Sequence, residues 1–153
     1  MWVPPEDKDP VLLHAPTRRS VALFGAVNVR SGRLISMITS LFDADSFQSF
    51  LGLLLRHQKR SGRMVLVLDN APYQRSASLQ PYLLKHRRHL HLDYLPPYSP
   101  ELNPIERVWK LLRRLRTHNQ YFDKLETLID AVSEQLTIWY SPNRMLTKLC
   151  CIT

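Results

Sequence analysis

Several features of exported and membrane proteins are scarce or absent in this sequence of 153 residues. Its two cysteines, Cys150 and Cys151, are adjacent, and neighbouring cysteines rarely reach disulfide geometry. No CxxC pair suggests a structural zinc site. The longest uncharged runs, such as residues 34–42, are far shorter than the roughly 20 apolar residues of a membrane span. The first ten residues carry acid and proline instead of a secretory signal. We therefore expect a reduced, cytoplasmic protein with no membrane partner.

Glycine is also scarce, with four in the chain, which excludes collagen-like and glycine-rich low-complexity sequence. The remaining composition, 44% hydrophobic and 22% charged, is typical of one globular domain with a substantial core. Four of the eleven prolines fall within residues 1–16, which we predict to be an extended leading segment. Residues 17–153 are then predicted to form the folded domain.

Acidic residues are in the minority, with 13 Asp and Glu against 21 Lys and Arg. The excess lies in the middle of the chain, because residues 61–120 carry ten basic and four acidic groups, a balance of +6. Two clusters account for most of it: Lys85, Arg87 and Arg88, and Arg107, Lys110, Arg113 and Arg114. Such clusters can bind a polyanion such as nucleic acid, or can simply form a solvated helix face. Charge alone leaves both interpretations open.

The apolar pattern predicts strands and helices that alternate after an initial hairpin. The predicted strands cover 21–28, 33–39, 64–68 and 90–94, with Gly32 closing the hairpin and the 64–68 strand covered on both faces. The predicted helices run from Asp43 or Asp45 to about 60, from a cap at Ser78, from Asn103 and Pro104 to about 117, and from 123 to 140. This order predicts an α/β fold, a mixed sheet flanked by helices, with chemistry at the strand ends.

Two carboxylates occupy positions suited to a metal site. Asp69 directly follows the 64–68 strand, and Glu106 lies in the first turn of the helix that begins near Pro104. The helix and strand between them can return the chain to the same edge of the sheet. Hard oxygen ligands of this kind suit Mg²⁺ or Mn²⁺. Because Lys110 and Arg113 follow Glu106 on the same helical face, the pattern favours phosphodiester chemistry.

Structural roles for the same residues stay open at this point. Glu106 lies three residues after Asn103 and could complete a helix-capping box. Asp69 and Asn70 could form a polar turn after a strand. The histidines near residue 89 lack a convincing metal-ligand spacing, and surface or nucleic-acid contacts suit them better.

Two segments resemble the mariner-superfamily transposases of bacterial insertion sequences: VLVLDNAPYQRS at 65–76 and LDYLPPYSPELNPIERVWKLLR at 92–113. The resemblance extends from Trp2 to about Arg116. It implies a ribonuclease H-like fold and a DDE triad (Asp, Asp, Glu) that binds two Mg²⁺ or Mn²⁺ ions, cuts DNA at transposon ends and joins them to a target. Asp69 matches the second acid of the triad and Glu106 the third.

The partners implied by the resemblance are transposon-end and target DNA, held here by the two basic clusters. It leaves room for a homodimer, requires no small-molecule cofactor and implies a location at the bacterial nucleoid.

This sequence also departs from the family pattern. In the family the first Asp ends the first strand, just upstream of a segment that corresponds here to Trp2, and that strand lies mid-sheet between the hairpin and the Asp69 strand. The chain begins after that position, the family's helix-turn-helix region is absent, and Gln74 stands where members often carry His. We therefore expect the carboxyl-terminal part of a transposase, unable to transpose DNA alone.

Two alternatives remain. One is a non-catalytic remnant that binds DNA or dimerises through its basic clusters. The other, a structure-specific nuclease, rests on the generality of the fold.

Overall fold

The computed structural model describes residues 11–14, 19–58 and 62–151. The strands in these ranges are β1 (Val11–His14), β2 (Arg19–Val27), β3 (Leu34–Thr39), β4 (Met64–Leu68) and β5 (Leu90–Tyr94). The helices are α1 (Ala44–Arg56), α2 (Gln80–Lys85), α3 (Ile105–Leu112), α4 (Leu125–Trp139) and α5 (Arg144–Leu149). Short 3₁₀ turns occupy Pro72–Arg75, Ala77–Leu79 and Pro100–Leu102, and a π-helical turn, Arg113–Thr117, continues α3. None of the helices in the described ranges is long and apolar enough to cross a membrane.

The chain folds into two compact units. The first, which we call the hairpin unit, comprises residues 1–40 and 104–153. The second, which we call the Asp69 unit, comprises residues 41–103. The α/β class expected from the sequence is therefore present. Its strands lie in two sheets, a three-stranded one in the hairpin unit and a two-stranded one in the Asp69 unit.

The sheet of the hairpin unit is antiparallel, in the order β1-β2-β3. The predicted hairpin is confirmed: β2 and β3 pair from Val27 opposite Leu34 to Ala22 opposite Thr39. Gly32 closes the turn with φ +74°, a left-handed conformation that favours glycine. Residues 11–14 differ from the predicted leading segment, because they form β1 and pair with the start of β2. In the sequence, prolines at 10 and 16 lie on either side of this short run.

The core of the hairpin unit forms where α3, α4 and α5 pack on this sheet. Its fully buried side chains include Leu23, Leu34, Val108, Leu128, Val132, Trp139 and Leu146. Helix α5 was not predicted, although Asn143 is a good N-cap, accepting a hydrogen bond from the Leu146 N–H at 2.9 Å. The Asn143 side chain also donates to the Gly32 carbonyl at 2.8 Å and so ties α5 to the hairpin turn.

The Asp69 unit is built on the parallel pair β4 and β5, which are joined from Met64 opposite Leu90 to Leu68 opposite Tyr94. Helix α1 begins as predicted, with Asp43 as N-cap accepting from the Ser46 N–H at 2.7 Å. This hydrogen bond lowers the pKa of the Asp43 carboxyl. The apolar face of α1 supplies buried Phe47, Phe50, Leu51 and Leu54.

The prediction that β4 is covered on both faces is wrong. Val65 is 57% exposed and Val67 is 40% exposed, so one face of the strand meets solvent. Among the described residues, β4 pairs with β5 along one edge and with no strand along the other. A continuous apolar run predicts burial on average, but it does not specify which neighbours are present to provide it.

Smaller differences concern helix bounds. The helix expected to start at Ser78 becomes a 3₁₀ turn followed by α2. The helix expected to reach about residue 117 remains α-helical to Leu112 and then widens into the π turn. Cys150 and Cys151 are both free, as expected.

A pair of glycine substitutions tests this packing. A Cβ on Gly25 would overlap Cη2 of the buried Trp109 indole, so Gly25→Ala is expected to lower the free energy of unfolding by about 1–3 kcal/mol. A Cβ on Gly52, inside α1, would lie 3.4 Å from the Tyr82 hydroxyl, an ordinary contact. Gly52→Ala is therefore expected to raise the free energy of unfolding by up to about 1 kcal/mol. Urea unfolding curves measure both, and equal effects of the two changes would contradict this packing.

Candidate metal-binding active site

Asp69 lies at the carboxyl end of β4, where the chain turns sharply. The strand ends at Leu68, Asn70 adopts a left-handed φ of +74°, and Pro72 opens a 3₁₀ turn. Asp69 is 6% exposed at this turn, unusually low for an acidic residue.

A buried neighbour of Asp69 is Gln74. Gln74 is 4% exposed, and its side-chain Nε2 donates to Oδ1 of Asp69 at 3.2 Å. Its Oε1 accepts a hydrogen bond from the Ala71 N–H at 2.9 Å. The sequence identified Gln74 as a departure from the family and gave no signal of this contact.

A second layer of contacts holds the turn in place. The Tyr94 hydroxyl, at the end of β5, donates to the Gln74 carbonyl at 2.9 Å. The Arg75 guanidinium lies 4.2 Å from the Tyr94 ring centre and donates to the side-chain oxygen of Asn70. Burial raises the pKa of the Tyr94 phenol, and the Arg75 charge partly offsets that rise. The phenol is therefore protonated at neutral pH and able to donate.

Glu106 lies in the hairpin unit, in the first turn of α3. The opposite face of the helix is buried through Val108, Trp109 and Leu112. Glu106 is half-buried, and its Oε1 atom is shielded from solvent. The helix starts one residue later than expected, with Pro104 at the N-cap position and no side-chain capping bond.

Arg113 directly follows α3 and interacts electrostatically with the Glu106 carboxylate. Burial lowers the pKa of the Arg113 guanidinium, and the charge of Glu106 raises it in part. The Arg113 side chain is half-buried, so it does not lie on a fully solvated helix face. Arg113 therefore balances charge near Glu106 as well as adding to the basic cluster.

The remaining basic residues predicted to bind DNA are all exposed, and one of them also makes hydrogen bonds within the protein. Lys85, Arg87 and Arg88 are exposed around the end of α2, and Lys110 and Arg114 are exposed around α3. Arg107 is exposed too, but its guanidinium donates to the Leu149 carbonyl at 3.2 Å and to that of Cys151 at 3.5 Å. Arg107 thus also caps the carboxyl end of α5 by donating to carbonyls at and just beyond its last residue.

The donor chemistry of the two acids fits a hard divalent cation. Asp69 and Glu106 each offer carboxylate oxygens in partly or fully desolvated surroundings. They belong to different units, so the structure describes the surroundings of each acid separately. Within the described ranges, no group of three or more His, Cys, Asp and Glu side chains is assembled. Asp69 in one unit and Glu106 in the other remain the two candidate ligands.

Comparison with known proteins identifies the family. The family model for the DDE superfamily endonuclease matches residues 1–129, and the chain belongs to that superfamily. An uncharacterised Sinorhizobium fredii protein, y4pE/y4sA, is 31% identical over 107 residues, covering 70% of this chain and 76% of that protein. The Tcb2 transposase of Caenorhabditis briggsae is 31% identical over 122 residues, covering 74% of this chain but 44% of that transposase.

The fold is also shared with a solved structure. The catalytic domain of Mos1 mariner transposase superposes with a TM-score of 0.69 at 18% identity, covering 93% of this chain and 74% of that one. The fold is accordingly ribonuclease H-like, and the resemblance to mariner-superfamily transposases is confirmed.

Proposed function

We propose that this chain is the larger part of a DDE transposase catalytic domain. In this proposal Asp69 and Glu106 are two of the three carboxylates that bind divalent metal ions for DNA strand cleavage and strand transfer in transposition. The observation that carries the proposal is the buried Asp69 carboxylate at the end of β4, held by a neutral amide in a chain of this superfamily. Burial with a designated hydrogen-bond donor is characteristic of metal-ligating carboxylates.

The chain's own residues would perform two tasks. Asp69 and Glu106 would hold Mg²⁺ or Mn²⁺, two ions in the complete site, through hard oxygen ligands. Once bound, such ions supply Lewis acidity toward the phosphodiester and lower the pKa of an attacking hydroxyl. The exposed basic residues near α2 and α3 would hold the phosphate backbone of transposon-end and target DNA.

The proposed site needs a further acid from outside the described residues. They contain no cluster of three potential ligands, and the chain spans 44% of the Tcb2 transposase. One edge of β4, the strand that leads into Asp69, pairs with no strand in the described ranges. We infer that an N-terminal part, carrying the first strand and first Asp, completes the enzyme at the bacterial nucleoid, and that a homodimer is compatible with this assembly.

A strand-cleavage assay tests this proposal. The purified chain alone is expected to leave duplex DNA intact in Mg²⁺ and Mn²⁺, because its ligand set is incomplete. Extended by a strand that carries the first acid, the chain is expected to cleave, and either Asp69→Ala or Glu106→Ala should abolish cleavage. If the chain alone cleaves DNA and both substitutions abolish that cleavage, the claim that it is inactive alone is wrong. Cleavage by the extended chain that survives both would overturn the roles of the two acids.

The second candidate function is a non-catalytic DNA-binding or dimerising remnant. It is favoured by the exposure of Lys85, Arg87 and Arg88 together with the lack of a three-ligand cluster among the described residues. Binding of this kind would be independent of sequence and sensitive to salt.

A charge-matched pair of triple variants tests DNA binding. Replacing Lys85, Arg87 and Arg88 by Ala is expected to reduce the salt dependence of the affinity, by up to about 0.9 in log–log slope for each phosphate that is no longer neutralised. The control replaces Lys124, Arg144 and Lys148, exposed residues in the last third of the chain. Fluorescence anisotropy on duplex DNA across a salt series measures both.

Two results of this experiment would contradict a role for the first cluster: no binding at low salt, or an equal reduction of affinity in the two triple variants. If binding survives in Asp69→Ala while the extended chain never cleaves, the remnant is the better description.

A further inference from the structure

We propose that Gln74 is the positioning residue of the candidate metal site: its side-chain amide sets the orientation in which the Asp69 carboxylate meets a divalent cation. This inference rests on the proposed function, in which Asp69 is a metal ligand. It gives a role to Gln74, which is not itself one of the proposed metal ligands.

The orientation of the Gln74 amide follows from its partners. The Ala71 N–H can donate but not accept, so the Gln74 atom 2.9 Å from it is the carbonyl oxygen Oε1. The amino group Nε2 then faces Asp69, 3.2 Å from Oδ1. Because an amino group donates, Asp69 accepts this hydrogen bond, the role suited to an ionised carboxylate.

Both ends of Gln74 are anchored, so the amide cannot easily reorient. Its backbone N–H donates to the Ala71 carbonyl at 3.0 Å, and its own carbonyl accepts from the Tyr94 hydroxyl at 2.9 Å. The side chain is almost fully buried, so a rotated amide would leave the Ala71 N–H without its partner in a desolvated place. The 3₁₀ turn and the amide thus hold one another in a single geometry.

This geometry has a consequence for metal binding. The hydrogen bond from Gln74 to Oδ1 restricts the rotation of the buried Asp69 carboxylate. A fixed carboxylate loses less conformational entropy when it binds a cation than a freely rotating one does. The amide is also neutral, so it adds no positive charge that would repel the ion, as Lys or Arg would. An imidazole at position 74 could protonate or itself bind metal, whereas the Gln74 amide does not protonate at accessible pH and its oxygen is already bonded to the Ala71 N–H.

The test is a Mn²⁺ titration of the whole chain, read as paramagnetic broadening of the backbone amide signals of residues 68–71. Asp69→Asn defines the broadening that depends on the carboxylate. Gln74→Met, which keeps side-chain length but removes both hydrogen bonds, is expected to raise the Mn²⁺ dissociation constant at this site by about tenfold or more.

The matched control is Gln135→Met. Gln135 is another buried glutamine, 8% exposed, whose side-chain oxygen accepts from Arg116 at 3.0 Å. Its replacement is expected to lower thermal stability in the manner of Gln74→Met and to leave Mn²⁺ broadening at residues 68–71 unchanged. Gln74→Asn, which keeps an amide too short to reach both partners, provides a second weakened variant if Gln74→Met does not fold.

The outcomes separate the inference from the function on which it rests. Wild-type broadening that Asp69→Asn abolishes, with affinity weakened in Gln74→Met or Gln74→Asn and unchanged in Gln135→Met, supports the positioning role. Unchanged affinity in folded Gln74 variants overturns that role and leaves Asp69 as a ligand. Wild-type signals of residues 68–71 that show no Mn²⁺ effect overturn both.

Discussion

The carboxylate of Asp69, 6% exposed, must find hydrogen-bond donors inside the protein, because an ionised group buried without a partner is strongly destabilising. The chain after β4 satisfies this requirement locally. It turns at Asn70, winds a 3₁₀ turn from Pro72 and brings the Gln74 amide to the carboxylate within five residues. Tyr94, one strand away, secures that turn by donating to the Gln74 carbonyl. The candidate site therefore depends on a short, internally bonded segment supported by its neighbouring strand.

Helix α3 meets a different constraint in the hairpin unit. Trp109 is 3% exposed and lies against Gly25 in β2, where a larger residue would not fit. This contact fixes the rotation of the helix about its axis, and the same rotation places Glu106 away from the core face while shielding its Oε1 atom. Packing energy thus determines where the acid points. The basic residues that follow on α3 owe their exposure to the same rotation.

Much of the fold was accessible from the sequence because its signals are local. The hairpin around Gly32, the Asp43 cap and the bounds of β4 and β5 depend on turn chemistry and short apolar runs. The exposure of Val65 and Val67 was not accessible, because burial of a strand depends on neighbours far away in sequence. Residues 11–14 were missed since a short strand between prolines gives little pattern.

The candidate site was likewise predictable only in part. Asp69 and Glu106 are predicted as ligands from residue type, from their places at a strand end and a helix start, and from the motifs around them. The contact between Gln74 and Asp69 was not predicted, because glutamine in a turn carries no signal of a buried partner.

The central claim is that Asp69 and Glu106 are metal ligands, and anomalous scattering from crystals of the chain extended by its first acid, grown in Mn²⁺, would test it most directly. We predict Mn²⁺ peaks within coordination distance of carboxylate oxygens of both Asp69 and Glu106. Peaks on other carboxylates, with neither Asp69 nor Glu106 in contact with the metal, would contradict it.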